Sequence, residues 1–205
     1  MQKTLIAAGL ALASTTTLAG PYVGLGYQGG SSKVEQRSLR APAVDGRVLD
    51  LSGSEGGSGL TALAGYRFSD TWAMELTWQR AAVDDTFELR QTGQDEEWEA
   101  EVDGQHITLA PVYRLSLGDR AVLRATAGLL YGDYDVERSH VLDIANGPDQ
   151  TLSRSRDSRS KVGGIVGLGL EYATPWRVDI VAEVRHQRTS VLSFTGAAVS
   201  AVYRF

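Results

Sequence analysis

Residues 197–205, AAVSAVYRF, alternate with a period of two: Ala197, Val199, Ala201, Tyr203 and Phe205 share one parity, and Ala198, Ser200, Val202 and Arg204 share the other. Such alternation describes a β-strand with one apolar face. The terminal residues of water-soluble domains ordinarily fray. An aromatic in the last place of a regular strand instead calls for an apolar surrounding on the outside.

The same period recurs upstream. Trp72, Met74, Leu76 and Trp78 alternate with Ala73, Glu75, Thr77 and Gln79. Leu123, Ala125, Ala127, Leu129 and Tyr131 alternate with Arg124, Thr126, Gly128 and Leu130. Val23, Leu25 and Tyr27 form a third row, and Val166, Leu168, Leu170 and Tyr172 a fourth. In 177–187 the even positions are Val178, Ile180, Ala182, Val184 and His186, and Arg185 breaks any helical spacing. Residues 60–68 and 106–115 are less regular but compatible. With the closing stretch this predicts about eight strands, an even count that suits a small antiparallel barrel.

Short connections (69–71, 116–119, 173–175 and 188–190) carry turn formers. Between them the stretches 29–58, 81–104 and about 135–160 are polar and read as long loops. Short turns at one end and long loops at the other match a transmembrane barrel. The expected fold is therefore all-β, a closed antiparallel up-and-down transmembrane β-barrel of about eight strands.

Composition narrows the rest. Lys3, the apolar run 5–13 and the small-x-small Thr17-Leu18-Ala19 read as a secretory signal peptide over residues 1–19, with the barrel domain at 20–205. Without Lys3, 19 Lys and Arg stand against 25 Asp and Glu, a formal charge of −6. No basic face dominates, so no nucleic-acid partner is expected. There is no cysteine, which excludes disulfides and thiolate metal sites. No later segment has the roughly 18 consecutive apolar residues of a spanning helix.

A soluble barrel would also alternate, with its apolar face inward. The polar parity here is rich in small residues, including Gly24, Gly26, Gly128, Gly167, Gly169, Gly196 and Ser200. Glycine weakens a solvent-facing strand, but a narrow lumen has no room for bulk. Aromatics gather at strand ends, as in the girdles of membrane barrels. Projecting the polar parity inward places Arg67, Glu75, Arg114, Arg124, Glu171, Asp179, Glu183, Arg185 and Arg204 in the lumen. Charges away from water demand partners, so a paired ladder is expected. A narrow ion-conducting pore is the sharper alternative.

PYVGLGYQ, GYRFSDTWAMEL, GLGLEYATPWRVDIVAEVRH and the closing AVYRF together resemble the OmpA-like and OmpX/Ail-like small outer-membrane barrels. The resemblance implies an outer-membrane location and no common catalytic set. It also implies that the last strand, with Val199, Ala201, Tyr203 and Phe205, is the signal read by the barrel-assembly machinery, reached with periplasmic chaperones. A monomer among outer-membrane lipids and lipopolysaccharide is expected, acting in envelope integrity or adhesion.

The second loop is acidic: from Asp84 to Asp103 it holds nine carboxylates. The third ends in SRSRDSRSK, with Arg154, Arg156, Arg159 and Lys161. Solvated hairpin arms explain both. Alternatively the two loops pair with each other, or the basic set meets lipopolysaccharide phosphates. Loose Ca²⁺ binding by the acidic set lacks an EF-hand spacing, and no cofactor or metal site is expected. His186, four residues before Ser190, raises a lipid A-modifying enzyme as a further alternative. The His-x-Ser-Asn signature of the deacylases is missing, and the expected role is non-enzymatic.

Overall fold

The alternating segments become strands because each has one face that packs and one that does not, and a closed sheet lets all of them satisfy this together. In a computed structural model the chain is described over residues 19–34, 58–91, 94–144 and 150–205, and side chains of 81–102 lie outside that description. The proposed signal peptide, apart from Ala19, and most of the first loop also lie outside it. Eight strands follow one another: β1 Gly20–Val34, β2 Ser58–Arg67, β3 Trp72–Gln91, β4 Gln94–Ser116, β5 Ala121–Ile144, β6 Gln150–Ala173, β7 Val178–Arg188 and β8 Leu192–Arg204. Each pairs antiparallel with its neighbour, and β1 meets β8 from Tyr22↔Arg204 to Val34↔Leu192. Closure removes both sheet edges, the condition for carrying a backbone through lipid.

The direction of burial decides between a soluble and a membrane barrel. Leu168 is 63% exposed on the outside, whereas Asp179 inside is fully buried. The outer surface also shows Leu25, Leu76, Leu109, Val184 and Val199. A wall of exposed aliphatics around buried charges is the inverse of a water-soluble protein and is what the hydrocarbon core of a bilayer requires.

Aromatic pairs ring the short-turn end. The centroids of Trp72 and Tyr113 lie 5.2 Å apart, as do those of Tyr203 and Phe205, and Tyr66 sits 5.3 Å from Phe68. Such amphipathic rings settle at the membrane–water interface. The turns between them close on hydroxyl side chains. Ser69 Oγ accepts from the Thr71 and Trp72 amides at 3.2 and 3.1 Å, and Thr174 Oγ1 accepts from the Trp176 amide at 3.3 Å. Gly118 supplies the positive φ of 146° that the β4–β5 turn needs.

The long connections differ from the sequence reading. The described part of 81–104 is strand and not loop: β3 and β4 stay paired from Ala81↔Gly104 to Gln91↔Gln94. Likewise 135–160 is mostly strand, with β5 and β6 paired out to Leu142↔Gln150 across one irregularity at His140/Val141. Hydrophilic composition suggested loops, but a hairpin standing in water needs only a satisfied ladder and tolerates a high share of charged residues. β5 and β6 have 24 residues each against 11 in β7. The surplus raises a four-stranded sheet, β3 to β6, by roughly 40 Å of strand beyond the barrel wall.

Candidate functional site

Strand parity sends one residue in two to the lumen, and the registers decide which of them meet. At the short-turn end Arg67 of β2, Arg114 of β4, Glu171 of β6, Asp179 of β7 and Arg204 of β8 converge. Arg67 reaches Glu171 at 2.6 Å and Asp179 at 2.9 Å. Arg114 reaches the same Glu171 oxygen at 2.7 Å, and Arg204 Nε lies 2.9 Å from Asp179 Oδ2. One layer further in, Arg124 pairs with Glu75 and lies 3.8 Å from Glu171. Glu75 also accepts the Tyr22 hydroxyl at 2.7 Å, while the Arg67 guanidinium sits 5.4 Å from the Tyr22 ring centroid. Arg185 and Glu183, two apart on β7, pair at 3.2 Å. The structure thus brings all nine lumen charges named from the sequence into ion pairs that link β2, β3, β4, β5, β6, β7 and β8.

Fixed partners matter here because a lone charge in a low-dielectric lumen costs several kcal/mol. The guanidinium fork lets one arginine hold two carboxylates on different strands. Small residues leave the room. A Cβ on Gly65 would overlap the Tyr22 ring, and one on Gly167 would overlap the Glu183 carboxylate.

Interior apolar residues were not distinguishable by type from lipid-facing ones. Leu63, Ala73, Val112, Val181 and Val202 cluster with Tyr22 inside the barrel. Toward the long-hairpin end Gln79 and Gln187 exchange amide hydrogen bonds, and Gln79 lies 2.9 Å from His106 Nδ1. The His106 ring meets Tyr134 edge-on at 5.4 Å. The Tyr134 hydroxyl lies 2.9 Å from Thr189 Oγ1 in the β7–β8 turn, whose Val191 and Leu192 amides donate to the same oxygen. Tyr134, Leu130, Val191, Leu192 and Phe194 are all buried and close this end of the lumen. Parity was the signal for His106 and Tyr134, since both continue the inward rows of β4 and β5.

On the outside the basic set of the third connection does not form one patch. Arg154 and Arg156 share the even parity of lipid-facing Val162 on β6, whereas Arg159 and Lys161 take the inward parity. Three of the four are paired locally: Arg154 with Glu137, Arg156 with Asp135 at 3.2 Å, and Arg159 with Asp157 at 2.6 Å. Arg80 and Asp103 pair at 3.4 Å across the β3–β4 hairpin. The carboxylates of 84–101 lie outside the described side chains. His186 faces outward, with Nδ1 2.7 Å from Thr195 Oγ1 on its cross-strand neighbour. Val199, Ala201 and Tyr203 lie on the lipid side of β8, and Phe205 is exposed just beyond its end.

A model of the outer membrane protein beta-barrel domain matches residues 4–205, the whole of the barrel just described. The chain belongs to that family. Its short turns therefore face the periplasm and its raised hairpins the cell exterior. Among solved structures it is similar to OprG from Pseudomonas aeruginosa, at 15% identity and a TM-score of 0.55, over 92% of this chain and 97% of that one. Neisserial surface protein A matches at 16% identity and 0.51, covering 91% and 99%. The attachment invasion locus protein Ail of Yersinia pestis matches at 18% and 0.48, again over 91% and 99%. At these identities the likeness is one of fold. No curated protein sequence matches.

Proposed function

We propose that this outer-membrane barrel acts at the cell surface through its raised β3–β6 sheet, in envelope integrity or adhesion, and not by conduction or catalysis. The observation that carries the reading is the closed lumen. Ion pairs cross-link its periplasmic half, and Tyr134 on Thr189 with the buried Val191, Leu192 and Phe194 fills its outer mouth. Among the described residues, what remains accessible on the outer side is the sheet, whose β5–β6 arm carries alternating Arg and Asp or Glu. Lipopolysaccharide phosphates are its nearest anionic neighbours, and Arg154 and Arg156, exposed on the outward parity of β6 and held only in exposed ion pairs, are the basic residues that face them. Assembly machinery and periplasmic chaperones are its partners during biogenesis.

The test is a pair of measurements. Purified protein in planar bilayers gives no unitary current above baseline. A variant in which tight turns replace 82–103 and 136–157, leaving Tyr134 in place, still folds, but loses surface attachment or the envelope's detergent resistance. Regular single-channel steps from the wild type, or an arm-less variant with every surface phenotype intact, contradict the proposal.

A further inference from the structure

We infer that the periplasmic mouth of the barrel is a binding site for a small oxyanion, a phosphate or a carboxylate, held by Arg67, Arg114 and Arg204. This does not rest on the surface reading above. A cavity of about 250 Å³ opens at the short-turn end, lined among others by these three arginines, Glu171, Gly20 and Phe205.

The lining has more donors than acceptors. Arg67 and Arg114 both donate to one oxygen of Glu171, at 2.6 and 2.7 Å. Asp179 Oδ2 accepts from Arg67 at 2.9 Å and lies 2.9 Å from Arg204 Nε in an ion pair. Each guanidinium offers five N–H groups. Arg114 uses one on Glu171 and another on the Asp70 carbonyl at 3.2 Å. Its side chain is only 9% exposed, and its Nε has no partner among the described residues.

Charge points the same way. Arg67, Arg114, Arg124 and Arg204 surround Glu75, Glu171 and Asp179, leaving one positive charge in excess. Arginine does not shed its proton, so these guanidiniums stay charged whatever they face. Asp70, Asp119 and Arg120 also line the cavity but stand exposed at its rim, where water screens them. Two forks brought together by one oxygen suit bidentate capture of a phosphate or carboxylate.

The test uses the protein purified from outer membranes and held in lipid nanodiscs. Inorganic phosphate and acetate are titrated separately against chloride at constant ionic strength, while arginine Nε–Hε resonances and the heat-modifiability midpoint are followed. A saturable shift of the Arg114 and Arg67 signals is expected, with a rise in the midpoint. Arg114→Lys, which keeps the charge but loses the fork, weakens binding about tenfold, and Arg114→Gln abolishes it. Arg80→Gln, at the far end, leaves it unchanged. Saturation by phosphate alone assigns the source to phosphates, by acetate alone to carboxylates, and either supports the site. Shifts that are linear in concentration, or identical in wild type and Arg114→Lys, overturn it.

Discussion

Glu171→Gln removes a single charge with almost no change in shape, and the lumen geometry sets what this costs. One oxygen of Glu171 receives Arg67 at 2.6 Å and Arg114 at 2.7 Å, and the other lies 3.8 Å from Arg124. At an effective dielectric of about 20, a charge pair some 4 Å apart is worth roughly 4 kcal/mol before desolvation. Breaking one buried pair costs about 3–5 kcal/mol net, because the surviving partner stays charged. Glu171 serves two close guanidiniums and a third nearby, so the loss belongs at the top of that range, about 5 kcal/mol. Glu183→Gln is the control: its one close ion pair among the described residues is with Arg185, two residues away, so it should cost less. Urea unfolding in liposomes, followed by tryptophan fluorescence and by the gel shift of folded barrel, measures both. The double variant Glu171→Gln/Arg114→Gln should recover part of the loss, since it relieves one stranded cation. A cost below about 1 kcal/mol for Glu171→Gln, the value of an exposed pair, would refute the view of the lumen as a tightly coupled network.

Other perturbations probe other parts of the molecule. Leu168→Arg puts a cation on the lipid face, where Leu168 is 63% exposed, and should lower unfolding free energy in bilayers by about 2–4 kcal/mol; no loss would mean the site lies near an interface. Gly65→Val drives a side chain into the Tyr22 ring and should cost about 1–3 kcal/mol, with Tyr22→Ala in the same chain restoring part of it. Deletion of Phe205, which packs on Tyr203 at 5.2 Å, should lower the yield of inserted barrel in cells more than shortening either raised hairpin. Normal insertion of that variant would count against a role for the last strand in assembly.

Much of the architecture was legible because a membrane barrel imposes a strict period of two. Val178, Ile180, Ala182 and Val184 face lipid and Asp179, Glu183 and Arg185 face the lumen, with no exception along β7. The raised hairpins were illegible for the opposite reason. Past residue 81 the β3–β4 pair continues to Gln91↔Gln94, and its short alternating row of Val83, Phe87, Leu89, Trp98, Ala100 and Val102 is outweighed by nine carboxylates, so composition resembled a loop. Within the lumen, parity grouped the charges on one face but could not reveal that Glu171 is shared by three arginines. The spread basic run was misleading too, since the pleat divides Arg154 and Arg156 from Arg159 and Lys161.

What the sequence determined by itself is the set of residues on each side of each strand, because side-chain direction follows from the chain's own pleat. Only the tertiary structure decided which of those residues touch. Arg67 and Asp179 are 112 positions apart, and they meet because β1 closes on β8 and the registers bring their ends to one level. Contact across a lumen is a property of the closed ring, and no local pattern encodes it.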